Sequence, residues 1–309
     1  MSRVSAIIVT WNKKDLLAAC LDSLRTQTRP ADEIFVVDNG STDGSRELVR
    51  DYYPDVALIT LDHNTGFAYA NNVAIQQATG DYIALLNNDL VLEPTWVKAM
   101  AAALEANTSL GSCASKMLLY HQRDTIDSAG IDFLIGGTGR NRAGGLRDAF
   151  PFDQPGYVFG ACAGAAIYRR SMLREIGSFD ETLNTYYEDV DLAFRAQLAG
   201  YDCLYIPEAV AYHHHGASSD SRRRDYFLAR NSLLVLLKNM PGPLLRRYAL
   251  HLVWSQLGYA LSFARRGHGP IYARGRRHAL RQFPDIMRAR RAIQGTARRR
   301  PDDLAARLA

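Results

Sequence analysis

The side chains best placed to do chemistry fall in four short clusters. Asn87-Asn88-Asp89 follows the apolar run YIALL. A carboxylate at the end of a buried strand, flanked by two amides, is the oxygen-rich setting that Mg²⁺ or Mn²⁺ prefers. Mg²⁺ is commonly held by one or two carboxylates plus substrate phosphates, so a single Asp suffices, although Asn and Asp favour a plain turn as well. Tyr187-Glu188-Asp189-Val190-Asp191 sets three carboxylates within four residues just before a helix. Such like charges repel, so the cluster serves either the dipole and caps of a helix N-terminus or a general base beside a hydroxyl. Asp38–Ser45 (DNGSTDGS) ends a strand. It is either a well-capped turn or a site where Asp38 or Asn39 reaches a uracil or thymine imide and ribose hydroxyls. His213-His214-His215 follows Val210–Tyr212. In an extended stretch His213 and His215 share a face with His214 opposite, and neutral imidazoles there can bind metal.

The elements that position these clusters alternate along the first half of the chain. Val4–Thr10, Glu33–Val37, Val56–Leu61 and Tyr82–Leu86 read as strands. Helical patterns lie between them, at Lys14–Thr26, through Arg50–Tyr52 and at Phe67–Ala78. Such alternation predicts an α/β fold with a mostly parallel sheet flanked by helices. In these sheets ligands sit beyond the carboxyl ends of the strands. Trp11-Asn12, Asp38–Asp43 and Asn87–Asp89 each follow a strand and should converge on one crevice. Tyr120–Phe152, rich in Gly, Arg and Asp, reads as a long functional loop. Val190–Leu198 reads as a short helix closed by Gly200, and Cys203–Ile206 and Val210–Tyr212 as two last short strands. From Asp225 the pattern is helical, broken at Pro241–Pro243 and around Gly267–Pro270. Residues 1–240 are expected to form the catalytic domain and 241–309 a helical, basic extension.

Composition is that of a folded globular protein, 47% hydrophobic and 22% charged. The net charge of +5 hides an asymmetry. Residues 1–221 carry 17 Lys and Arg against 28 Asp and Glu, a net −11, and residues 222–309 carry 20 against 4, a net +16. A basic tail on an acidic body points to an anionic partner for the tail alone. Leu250–Phe263 is apolar but too short and too polar to span a bilayer. An apolar patch beside a polybasic stretch suits an anionic membrane face. Four scattered cysteines without a C-x-x-C pair, and a first strand that begins without signal-peptide features, predict a cytoplasmic protein, and the tail adds the option of a peripheral place on the cytoplasmic face of the inner membrane.

Together, IIVTWN (7–12), VVDNGSTDGS (36–45), NTGFAYANN (64–72), LLNNDLVLEP (85–94), GACAGAAIYRR (160–170), GSFDETLNTYYEDVDLAFRAQLAGY (177–201), HHHGAS (213–218) and ARN (229–231) resemble the inverting family 2 glycosyltransferases of the GT-A fold. The subgroup they look most like is the bacterial rhamnosyltransferase-like enzymes that build cell-surface polysaccharide. The resemblance covers about residues 4–240. It implies that Thr10, Trp11, Asn12, Asp38 and Asn39 hold the nucleotide and that Asn64, Gly66 and Asn72 lie at the donor-side helix entry. Asn88 and Asp89 fall in the family's D-x-D metal motif, with Asp89 the ligand of a Mg²⁺ or Mn²⁺ ion. His213 matches the C-terminal metal or diphosphate contact, with His215 the second choice, and Asp189 the catalytic base. Gly160–Ala166 matches the floor beneath the acceptor. The implied partners are a dTDP- or UDP-sugar donor, its sugar left open with rhamnose suggested only by the resemblance, and a glycan or lipid-linked glycan acceptor.

Other classes fit less well. The first strand is not followed by G-x-G-x-x-G, against a dinucleotide-binding dehydrogenase, and no G-x-x-x-x-G-K-[ST] is present, against a P-loop NTPase. The arginines of the tail come without a nucleic-acid recognition module on a body that would repel DNA, so no nucleic-acid partner is expected. A binding scaffold that keeps the fold without turnover is the remaining alternative, and hydrolysis of a nucleotide sugar separates it from an enzyme.

Overall fold

The run VSAIIVT becomes β1 (Val4–Thr10), an inner strand of the sheet in a computed structural model that describes residues 2–214 and 221–309. Strands β2 (Glu33–Asn39), β3 (Ala57–Leu61) and β4 (Tyr82–Asn87) join it in parallel register through α1 (Lys14–Arg25), α2 (Ser45–Tyr52) and α3 (Phe67–Gln77). The helices at 14–26 and 67–78 and the strand at 56–61 agree with the sequence to within one residue. Side chains alternate across β1. Val4, Ala6 and Ile8 meet Leu17, Leu21 and Leu24 of α1 on one face, and Ile7 joins the layer of Ala70 and Ala74 of α3 on the other.

The chain continues through β5 (Leu90–Leu92), α4 (Trp96–Ala106), β6 (Leu110–Leu119), β7 (Gln122–Ser128), β8 (Ile131–Phe133), β9 (Gly139–Asn141), β10 (Gly156–Val158) and β11 (Ala165–Arg169). Then come α5 (Arg170–Ile176), α6 (Glu188–Leu198) and β12 (Asp202–His213). The main sheet runs β10-β12-β6-β11-β4-β1-β2-β3, parallel from β4 to β3 and antiparallel on both sides of β11. Register decides where function can sit. Thr10 pairs with Asp38 and Val9 with Asn87, so β1, β2 and β4 end level at one edge, as the crevice argument requires.

Two expectations are corrected. Tyr120–Phe152 is not one long loop: β7 pairs with β6, and β8 and β9 form a hairpin. Few apolar residues mark these short strands, but Ile126, Ile131 and Phe133 are buried and anchor them. Gly137 allows the tight turn, with φ of 82°, and a Cβ there would lie 2.8 Å from Leu236. The two expected last strands are a single strand, β12, with an irregularity between Ile206 and Val210 where Pro207 cannot donate to the ladder.

The helices α7 (Ser221–Asn239), α8 (Gly242–Arg247), α9 (Ala249–Arg265), α10 (Gly269–Arg281), α11 (Phe283–Gly295) and α12 (Pro301–Ala305) complete the chain. Proline in the first turn starts α8, α10, α11 and α12, where its missing N–H costs nothing. A third core joins Phe133, Phe159 and Phe194 to Val235, Leu252, Ile286 and Leu304. Among the described residues, no helix is long and apolar enough to cross a membrane.

Candidate active site

At the level strand ends lies a cavity of about 560 Å³. Trp11, Asn39, Asn64, Gly66, Asn88 and Asp89 reach it from the parallel side, and Cys162–Gly164, Glu188, Asp189 and His213 from the other. The remaining expected residues stand behind these. Thr10 Oγ1 accepts a hydrogen bond from Asn88 Nδ2 at 2.9 Å. Asn12, at φ of 52°, accepts from Thr42 N at 2.8 Å and ties the turn after β1 to the turn after β2, leaving Trp11 43% exposed at the cavity wall. Asp38 is fully buried, paired with Arg46 and bonded to Ser41 N. Asn72 holds the backbone of Phe179 through both ends of its amide, at 2.9 and 3.1 Å. Of the residues expected around the nucleotide, Thr10, Asn12, Asp38 and Asn72 therefore meet protein partners.

Asn39 organises the donor side. Its carbonyl oxygen accepts from Thr65 N at 2.8 Å and its amide donates to Gly66 O at 3.3 Å, closing the loop that starts α3. Gly66 has φ of 94°, and a Cβ there would lie 2.3 Å from Asn184 Nδ2, so a side chain would push apart the loops at 65 and 184.

Across the cavity, α6 starts from a strained approach. Asn184, Tyr186 and Tyr187 all have positive φ, a conformation that costs an aromatic residue energy and persists only when neighbours hold it. Asn231 Nδ2 lies 2.9, 3.0 and 2.7 Å from the carbonyls of Leu183, Thr185 and Tyr186, and the Tyr187 hydroxyl meets Gly139 of β9. This brings Asp189 to the cavity, where its oxygens accept from Ala163 N at 3.3 Å and Val190 N at 2.8 Å. Burial pushes the Asp189 carboxyl up despite those bonds. Burial and the neighbouring Asp189 charge push Glu188 well above the carboxylate range, and its Oε2 is buried without a hydrogen-bond partner. Burial and mutual repulsion thus oppose a double charge on the pair.

His213 lies between two carboxylates. Its Nδ1 is 2.8 Å from Asp127 Oδ2 and its Nε2 is 3.1 Å from Asp89 Oδ1. Burial works against the imidazolium, but bonds to Asp127 and Asp89 outweigh it and raise the His213 pKa to about 9. Burial likewise opposes ionisation of Asp89, and His213 overcomes it, holding that carboxyl below its usual value. Beyond this ion-pair contact, the buried Oδ1 of Asp89 has no hydrogen-bond partner. His214 turns away and stacks on Tyr120, and His215 lies outside the described residues.

Among the described residues no group of three or more His, Cys, Asp and Glu forms a metal cluster. The pair Asp89 and His213 still fits a divalent cation shared with a diphosphate. It offers one buried carboxylate oxygen without a hydrogen-bond partner and one imidazole whose other nitrogen faces a carboxylate.

The profile of Glycosyl transferase family 2 matches residues 5–177, more than half of the chain. The chain belongs to glycosyl transferase family 2. This family 2 chain is 29% identical over 212 residues to the O-antigen biosynthesis protein RfbC of Myxococcus xanthus, covering 64% of the chain but only 16% of that protein. Over 234 residues it is 27% identical to an N-acetylglucosaminyl-diphospho-decaprenol L-rhamnosyltransferase of Mycobacterium tuberculosis, covering 67% of the chain and 74% of that protein. The mannosyltransferase PcManGT from Pyrobaculum calidifontis, solved with GDP-Man and Mn²⁺, shares the fold at a TM-score of 0.56 and 18% identity, over 96% of this chain and 84% of that one. The fold is GT-A, with a helical C-terminal region.

Sequence reasoning missed several residues at this family 2 site. Asp127 sits in β7, 86 positions before the histidine it meets, with no local signal. Glu188 was visible only as one acid of a cluster. Arg140 from β9 and Arg223 and Arg224 from α7 also line the cavity, and their roles depend on the β8–β9 hairpin and α7 folding over it.

Proposed function

We propose that the chain is an inverting glycosyltransferase. It would move a sugar, rhamnose by resemblance, from a dTDP- or UDP-sugar to an acceptor hydroxyl in bacterial cell-surface polysaccharide or lipid-linked glycan synthesis. The observation that carries this reading is the facing of Asp189 and the Asp89–His213 pair across one cavity. The rhamnosyltransferase relative and the nucleotide sugar in a solved neighbour support it.

Trp11 offers an exposed ring to stack on the base, beside the Asn39 and Asn64 amides. Asp89 and His213 would hold a Mg²⁺ or Mn²⁺ ion, which supplies positive charge against the departing diphosphate when bound. Asp189 takes the proton of the acceptor hydroxyl as its oxygen attacks the anomeric carbon. The new C–O bond forms as the bond to the diphosphate oxygen breaks, and the electron pair leaves with the nucleoside diphosphate. The small residues Cys162–Gly164 leave room for the acceptor beneath that line. The basic C-terminal helices are proposed to hold the enzyme on an anionic membrane surface near a lipid-linked acceptor.

Replacing Asp189 tests the chemistry. A general base contributes roughly 10²–10⁴ in rate, so Asp189→Asn is expected to lose turnover by about that factor while nucleotide affinity stays. Transfer and donor hydrolysis are measured beside calorimetric binding, and near-normal turnover in the variant would remove Asp189 from its role.

A further inference from the structure

Helix α9 has two unlike faces. Leu252 and Phe263 are buried, Gln256 Nε2 donates to Gly136 O at 2.9 Å, and Ser255 abuts Gly136. This face grips the turn of the β8–β9 hairpin, whose second strand brings Arg140 and Asn141 to the cavity. On the opposite face Leu250, Val253, Trp254, Leu257 and Leu261 stand 50–80% exposed. They stand three, four, seven and eleven residues along from Leu250, which places them on one stripe of the helix. Over these 11 residues it runs about 17 Å. A stripe this apolar, turned to solvent, marks an interaction surface.

The geometry points to the surface of an anionic phospholipid bilayer as the occupant, with the α9 stripe as the part that enters it. This rests on the proposed reading of a membrane-borne acceptor and names the surface that would reach it. Charge selects the partner. Exposed Arg246 and Arg247 lie just before the stripe and exposed Arg265 and Arg266 just after it, in a region of net +16. Two copies paired about a two-fold axis would set that positive region against itself. Lipid phosphates neutralise it while the acyl boundary receives Trp254 and the leucines. With α9 so placed, the β8–β9 hairpin connects the bilayer directly to the cavity wall, and an acceptor anchored in lipid would present its hydroxyl there.

The test measures partition of the full chain onto phosphatidylglycerol-containing and pure phosphatidylcholine vesicles, for the parent, for Trp254→Glu with Leu257→Glu, and for Arg246→Ser with Arg265→Ser. Light scattering and nucleotide binding are recorded on the same samples. The parent is expected to bind the anionic vesicles in a salt-sensitive manner. The apolar double variant should lose about tenfold or more of that affinity, and the arginine variant should lose its preference for anionic lipid, both keeping nucleotide affinity. Equal partition of parent and apolar variant, or no vesicle binding by the parent, would overturn the proposal. So would a concentration-dependent dimer of the parent, absent from the apolar variant, because the stripe would then belong to a second copy. Loss of nucleotide binding in every protein, with the vesicle results as expected, would count against the glycosyltransferase reading alone.

Discussion

Asp127 shows how much one unheralded carboxylate can determine. Asp127 holds His213 Nδ1 at 2.8 Å and so fixes the ring with Nε2 turned to Asp89, where a cation would displace the Nε2 proton. Asp127→Asn is therefore expected to lower Mn²⁺ affinity by about 10- to 100-fold in the presence of a nucleoside diphosphate, measured by calorimetry. Unchanged affinity would make Asp127 a packing residue. The carboxyl pair makes a pH statement. Asp189 must be ionised to accept a proton, and burial raises its pKa. As pH falls, kcat/KM should therefore drop at a pH above the ordinary Asp value of about 3.9. A profile flat down to that value would show that the base is another group.

At the scale of elements, α6 carries the candidate base and is clamped from below. Asp191 is fully buried, with Lys238 Nζ and Asn239 Nδ2 each 2.7 Å from Oδ1 and Arg195 Nε 2.9 Å from Oδ2. Burial opposes its charge, but Lys238 and Arg195 outweigh it and lower the pKa to about 2. Its stabilising contribution is complete above the unfolded value and fades as pH falls through the folded one. Lys238→Met removes one partner of a buried charge. It should cost about 3 kcal/mol, the low end for such losses because Arg195 and Asn239 remain, as read by chemical denaturation. A change within about 0.5 kcal/mol would mean the clamp is unimportant. The parallel half of the fold was legible because β1, β2 and β4 are apolar runs each ended by a polar cluster. The β7–β9 region was not, since its strands are anchored by single residues such as Phe133, which meets Phe159 and Phe194 from later parts of the chain. The strained turn before α6 was equally hidden, because Asn231, which holds it, follows by more than forty residues.

At the scale of the molecule, an acidic body and a basic helical region share a core, with Leu234–Leu236 on α7 packed with Leu252, Ile286 and Leu304. We propose residues 1–240 as the catalytic unit and 241–309 as a cap that fixes α7, and through Asn231 the turn ahead of Asp189. Everything in that arrangement presupposes a nucleotide and a cation in the cavity at the strand ends. The most direct test is calorimetric titration of the whole chain with dTDP and UDP, with and without Mn²⁺, beside Asp89→Ala. The expected result is binding of at least one nucleotide that depends on the cation and collapses in the variant. Binding of neither nucleotide under any of these conditions, or binding indifferent both to Mn²⁺ and to Asp89, would contradict the account.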